Sequence, residues 1–186
     1  MDSGSIFQII ILIILLLLSA FFSSAETALT TVNRIRMRSL AEDGNSRAAC
    51  VLKVTDDSGK MLSAILIGNN IVNLSASSIA TSLALDMWGS VGAGIATGIL
   101  TLLILIFGEI SPKTIAAINA EKISLSYCNI IYWLMKLLTP VIFILNKLSI
   151  AFLFLLRVDP NAKDKAMTEE EPVSYTHLTL PTTSRV

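Results

Sequence analysis

The sequence predicts an all-α membrane protein, three transmembrane helices accompanied by juxtamembrane or re-entrant helices. Three observations predict it. The 186 residues are 53% hydrophobic and only 15% charged, where soluble domains carry about 25% charged residues. The apolar residues are gathered into blocks of about twenty or more, the length a helix needs to cross the hydrocarbon of a bilayer. The basic residues cluster beside the ends of those blocks, which is how membrane helices are oriented. Formal net charge is zero, so the charge balance gives no argument for nucleic acid.

The first block runs from Ile6 to about Thr31, opening "IFQIIILIILLLL" and turning polar at "SAFFSSAETALTT". A cleaved leader is the alternative, since Ser23, Ser24 and Ala25 are small. A leader, however, carries positive charge ahead of its apolar run, and here the only charged side chain there is Asp2. Residues 33–60 hold six Lys/Arg and four Asp/Glu, with Arg34, Arg36 and Arg38 directly behind the first block. They read as a cytoplasmic loop with amphipathic helix at the interface, punctuated by Gly44 and Gly59.

The second block spans Met61 to about Leu85, and the link "DMWGSVG" places Trp88 as an interface anchor. The third runs from Val91 to about Ile118, with Gly94 and Gly98 at the spacing that lets membrane helices approach closely. A fourth apolar stretch, Ile123–Leu156, is too long for one ordinary span and is interrupted by Lys136, Pro140 and Lys147. With the basic 33–60 loop inside, three spans put the N-terminus outside and Lys113 and Lys122 inside. Arg157, Lys163 and Lys165 then stay inside only if the fourth stretch dips and returns, bent near Thr139-Pro140. The expectation is a multi-pass protein of the plasma membrane with a cytoplasmic C-terminus.

Residues 1–157 form the transmembrane domain on this reading, and residues 158–172 a cytosolic linker. Residues 173–186, rich in threonine and without apolar period, read as a non-native tail, which leaves the single histidine, His177, without a role. Cys50 and Cys128 lack metal-site spacing and read as free thiols.

Each span carries polar residues at steps of three or four, hence on one face. They are Ser19, Ser23, Glu26, Thr27 and Thr30 in the first, Asn69, Asn73, Ser77 and Thr81 in the second, and Thr97 and Thr101 leading to Gly108-Glu109 in the third. Hydroxyls and amides of this kind commonly join membrane helices by hydrogen bonds. Carboxylates do not fit that account, because an ionisable group within a span costs roughly 2.5 kcal/mol or more and marks a functional site by default. Glu26 lies near the end of its helix, where a basic residue such as Arg34 can neutralise it. Glu109 has Lys113 four residues on, a possible structural partner.

Behind Glu109 comes Pro112, which cannot donate to the carbonyl of Gly108 and crowds that turn. "GEISP" therefore reads as a helix break offering a peptide oxygen beside a carboxylate, the device by which transporters expose hard ligands to cations. Asn69 and Asn73 lie eight and twelve residues from Met61, roughly 12–18 Å into the second span. That depth lets them meet Ser23 and Glu109. Carboxylate, amide, hydroxyl and carbonyl oxygens favour Mg²⁺, Ca²⁺ or Mn²⁺ over zinc or copper, and Na⁺ also fits.

Three segments, "SAFFSSAETALTTVNRIRMRSL", "LIGNNIVNLSASSIATSLAL" and "FGEISPKTIA", together resemble the transmembrane domain of the CNNM/CorC magnesium transporters, over about residues 5–156. The resemblance implies a homodimer of three-span protomers in the lipid bilayer. It also implies an ion site made by Ser23, by Asn69 and Asn73, and by the Gly108 carbonyl with Glu109. Pro112 would make the helix break, with Ser63 and Glu26 as weaker candidates. ATP would enter only through CBS modules, which this chain lacks. The function expected is Mg²⁺ transport, outward and coupled to Na⁺, with a Mg²⁺-sensing regulator as the alternative. No His, Cys or Asp partners Glu26 or Glu109 within a span, so no enzyme is expected.

Overall fold

The computed structural model describes residues 3–156; the expectations for 158–172 and 173–186 lie outside them. The described residues are helical with no strand. They comprise α1 Ser3–Thr31, α2 Arg34–Glu42, α3 Ser46–Asp56, α4 Ser58–Leu103, a π-helical segment Ile104–Ile110, α5 Ser111–Ile118, α6 Ala120–Leu137 and α7 Thr139–Leu155. Three helical stretches are long and apolar enough to cross a membrane: Gly4–Thr31, Ser58–Gly89 and Gly92–Ile118.

The boundaries follow local chemistry. Asn33 turns the chain out of α1 and caps α2, its side-chain oxygen accepting from the N–H groups of Ile35 and Arg36 at 3.0 and 3.1 Å. Asn45 does the same for α3 through Arg47 and Ala48, and Asp57 caps α4 through Lys60 at 3.0 Å. Each satisfies donors a helix start leaves unpaired. Gly44, at φ +91°, makes the turn between α2 and α3. Gly59, expected as punctuation, instead lies in the first turn of α4, because the Asp57 cap starts that helix earlier than its apolar run. At the other end of the second span Gly89 has φ +67° and ψ −169°, a conformation open essentially to glycine alone, and the chain turns there into the third span.

The chain divides into two compact units, the first running through Ile142 and the second beginning at Phe143. In the first, α1 packs against α4, α5 and α6, while α3 packs against α2 and α6. Its large buried side chains collect at one end, where Met37, Val51, Val54, Met61, Ile65 and Ile131 are sealed from solvent. Phe21 meets Tyr127 there with ring centroids 4.5 Å apart. Farther along the spans many of the buried residues are small, among them Ser19, Ala25, Ala28, Ala76, Ala80 and Ala93, while Phe7, Leu17, Leu74, Ile95 and Phe107 face outward. Lipid tails are as apolar as leucine, so membrane helices gain by close approach of small residues rather than by burying large ones. Gly68 illustrates this: a Cβ there would sit 2.6 Å from the Phe22 ring.

Two expectations are corrected and one is met. Among the described residues Gly94 and Gly98 meet nothing within 4 Å, so their spacing serves no close approach there. The fourth apolar stretch is bent near Thr139-Pro140 as expected: the interruption is at Leu138 (φ −84°, ψ 0°), and Pro140 sits in the first turn of α7, where its missing N–H costs nothing. Thr30, Thr81 and Thr101, expected to join helices, donate instead to carbonyls of their own helix at 2.8 Å. A hydroxyl four residues along a helix finds that acceptor without any partner helix. In the second unit, Lys147 lies over the Phe143 ring, 4.7 Å from its centroid.

Candidate functional site

Contacts among the three spans fall within two helical turns of one another. Phe22 of α1 packs on Gly68 of α4, one residue from Ser23 and Asn69 respectively. Ser19, one turn before Ser23, donates to the Gly108 carbonyl at 3.4 Å. Asn73, one turn beyond Asn69, donates its Nδ2 to Glu109 Oε1 at 2.9 Å. The predicted residues Ser23, Asn69, Asn73, Gly108 and Glu109 are thus brought together by contacts they or their neighbours make.

The polar accounting is unusual there. Four buried side-chain atoms have no hydrogen-bond partner among the described residues: Ser23 Oγ, Asn69 Oδ1, Asn73 Oδ1 and Ser124 Oγ. Buried polar atoms are normally paired, and each exception calls for a cause. Three of the four belong to the predicted ligand set. Ser23 is fully buried and its hydroxyl, unlike those of Ser24 and Thr30, makes no bond back to its own helix. Because the Asn73 amide nitrogen is held by Glu109, its oxygen is committed to point elsewhere.

Around Glu109 the helix does not break as expected; it widens. Residues Ile104–Ile110 take the π-helical form, and Ser111 and Pro112 open α5 directly behind them. The wider turn moves the proline to the start of a helix, where its missing N–H is not required, so the chain stays helical throughout. Such turns within α-helices are frequent at functional sites. The Gly108 carbonyl, expected to be free, takes the Ser19 hydroxyl instead; at 3.4 Å that bond is long and weak and leaves the second lone pair available. Gly108 is required by the same contact, since a Cβ there would lie 2.9 Å from Ser19 Oγ and 3.3 Å from Leu16 Cδ1. Ser19 was read from the sequence only as a helix-joining residue; its place four residues before Ser23 was the signal that it shares the site.

The weaker candidates resolve differently. Glu26 pairs with Lys113 at 3.2 Å, which joins α1 to α5 and leaves Glu109 without the lysine four residues on. Arg34 lies nearer Asp56, at 3.8 Å. Ser63 donates to Gly59 in its own helix at 2.8 Å and is not brought to Glu109. On the other side of Glu109 a cavity of about 230 Å³ opens between the second and third spans, bordered by Asn73, Ser77, Thr97, Thr101 and Glu109 and walled by Ala80, Leu100, Ile104 and Leu105. Among the described residues no three His, Cys, Asp or Glu side chains cluster as a metal site. The set therefore offers a single negative charge with several neutral oxygens, which suits a hard cation that must also leave.

The chain is 41% identical over 151 residues to a UPF0053 protein of Haemophilus influenzae, covering 81% of the chain and 36% of that protein. It is 39% identical over 129 residues to the UPF0053 inner membrane protein YfjD of Escherichia coli, covering 69% of the chain and 30% of that protein. A polyamine export protein of H. influenzae is 27% identical over 162 residues, covering 80% of the chain and 37% of that protein. The chain thus spans about a third of the length of these relatives. Residues 10–179 match the family model of the cyclin M transmembrane N-terminal domain, and the chain belongs to that CNNM family of membrane domains.

Proposed function

We propose that this chain is the membrane domain of a transporter for a hard divalent cation, Mg²⁺, working as a homodimer in the plasma membrane with its N-terminus outside. The observation that carries the reading is the set of orphaned oxygens, Ser23 Oγ, Asn69 Oδ1 and Asn73 Oδ1, beside the one carboxylate of Glu109. A cation supplies what each of them lacks. Glu109 provides the charge, Asn73 and Asn69 provide amide oxygens, and Gly108 provides a peptide oxygen once the weak bond from Ser19 is released. With one carboxylate among neutral ligands, binding is firm enough to draw a partly hydrated ion from water yet loose enough to release it. Outward movement coupled to Na⁺ is the direction we propose, and ATP would act only through CBS modules outside this chain.

The test is flux. Reconstituted into vesicles with an entrapped Mg²⁺ dye, the chain should equilibrate Mg²⁺, and Glu109→Gln should abolish the signal while elution as a folded particle is kept. Mg²⁺-dependent thermal stabilisation without any flux would instead support a sensing regulator.

A second reading is favoured by one observation, the cavity behind Glu109, whose walls are partly apolar and whose rim carries hydroxyls. One carboxylate at the end of such a cavity suits an alkylammonium group, and a relative bears the name polyamine export protein. Competition decides between them: a linear polyamine that displaces Mg²⁺ at Glu109, but fails in Leu100→Trp, would favour the organic cation.

A further inference from the structure

Cys50 and Cys128 are the chain's two cysteines, and nothing in their spacing joins them. The fold does. Cys50 lies on α3 and Cys128 on α6, two helices that pack on each other. Both are free thiols, and their side chains interact directly. The register of the two helices agrees with that contact. One turn on from the cysteines, Lys53 of α3 lies over the Tyr132 ring of α6, 4.8 Å from its centroid. A further turn on, Asp57 and Met135 border one cavity. The helices therefore run side by side in the same direction, so Cys50 faces Cys128 by position as well as by contact. No third His, Cys, Asp or Glu joins them among the described residues, and the pair falls short of the four ligands a structural metal takes.

The two thiols differ in access. Cys128 is fully buried in the apolar cluster that includes Val51 and Ile131, whereas Cys50 is half-buried and packs against that cluster. A small neutral oxidant therefore meets Cys50 first, and a sulfur oxidised there has a second one beside it. We propose that Cys50 and Cys128 form a reversible redox site, oxidised by hydrogen peroxide to a disulfide that clasps α3 to α6. In the first step Cys50 gives its proton to water and its thiolate attacks one peroxide oxygen. The O–O bond breaks, the departing hydroxide takes up a proton and leaves as water, and Cys50 becomes a sulfenic acid. In the second step Cys128 loses its proton and its sulfur displaces the sulfenic hydroxyl. The S–O bond breaks, the S–S bond forms and a second water leaves. The two thiols lose two electrons and two protons in all, and the peroxide takes them. A dithiol reductant reverses the bond by exchange. The loop closed from Cys50 to Cys128 contains the second and third spans, with Asn69, Asn73 and Glu109. Tyr127, next to Cys128, meets Phe21 of α1, so the clasp reaches all three spans.

With two cysteines in the chain, any disulfide within it is this one, which makes the test direct on the unaltered protein. Membranes containing the chain are treated with hydrogen peroxide, then unfolded in detergent with excess N-ethylmaleimide, and the chain is weighed by mass spectrometry. The oxidised chain should lose both maleimide additions and weigh two hydrogens less than the untreated chain before alkylation. Dithiothreitol ahead of the maleimide should restore both additions. Cys128→Ala should stop the reaction at the sulfenic acid of Cys50, which dimedone then traps, and Cys50→Ala should take up no dimedone. Thermal unfolding reads the clasp itself: closing the loop restricts the unfolded chain, so the oxidised protein should unfold at a higher temperature than the reduced one. A peroxide-treated chain that keeps its maleimide on Cys128 while Cys50 is oxidised would overturn the proposal. So would a disulfide-linked pair of chains formed in place of the internal bond, or dimedone capture in Cys50→Ala equal to that in Cys128→Ala. An oxidised protein that unfolds at a lower temperature than the reduced one would show a strained bond and overturn the clasp.

Discussion

Ser23 makes the sharpest claim a single residue can make here. Its hydroxyl is buried without a partner, and leaving such a group unsatisfied costs about 1–3 kcal/mol. Ser23→Ala removes that cost, so the ion-free protein should become more stable by about 1 kcal/mol, while stabilisation by added Mg²⁺ disappears. Thermal unfolding in detergent, with and without Mg²⁺, reads both signs at once. A residue that only packs would lose stability in both conditions. Gly108 predicts the reverse. Its missing side chain is what admits Ser19, so Gly108→Ala should cost about 1–3 kcal/mol by overpacking. Adding Ser19→Gly removes both the 2.9 Å and the 3.3 Å contacts to Ser19 and should recover most of the loss. Failure of the double variant to recover would show that the strain lies in the π-helical backbone instead.

Between residue and fold lies the π-helical segment, and its consequence turns on Pro112. An alanine there would regain an N–H able to bond the Gly108 carbonyl in ordinary α-helical register. Pro112→Ala should therefore draw Ile104–Ile110 toward α-helix, stabilise the ion-free protein and weaken Mg²⁺ binding about tenfold, the equivalent of roughly 1.4 kcal/mol, a typical value for one hydrogen bond. Isothermal titration with Mg²⁺ checks the affinity, and unchanged binding would dismiss a ligand role for that carbonyl. This is also where sequence reasoning reached its limit. The run "GEISP" announced a carboxylate, a bare peptide oxygen and a missing donor. It could not announce whether the chain absorbs the missing donor by breaking or by widening, since that depends on Ser19 and Leu16 of another span. The polar stripes of the first two spans were legible because steps of three and four are a property of one helix. The pairing of Lys113 with Glu26 rather than Glu109 was not, because one acid lies four residues away and the other on a different span, and only the packing of α1 on α5 decides. The helix pair behind them was legible, because a proline signals an interruption from one helix alone: the chain bends at Leu138, beside Thr139-Pro140.

At the scale of the molecule, one quantity orders everything else, the side of the membrane on which each connection lies. The basic helices α2 and α3 should be cytoplasmic, because Lys and Arg are retained on that side. Asp86, at the far end of the second span, should then be outside. The path of α6 and α7 follows from the same rule. A single crossing would carry Arg157, Lys163 and Lys165 outside, against the bias that orients the other three spans, whereas a dip and return keeps them with Arg34, Arg36 and Arg38. Single cysteines placed by Asp86→Cys, Arg47→Cys and Leu156→Cys in a Cys50→Ala, Cys128→Ala background test this directly. All three positions are free of cover by the described protein residues, and labelling after detergent solubilisation separates a protected side from a position covered by lipid. Asp86→Cys should label in intact cells, and Arg47→Cys only after permeabilisation. Leu156→Cys should behave as Arg47→Cys does. Labelling of Leu156→Cys in intact cells, with Arg47→Cys still protected, would make α6 and α7 a fourth span and put the charges behind it on the outer side.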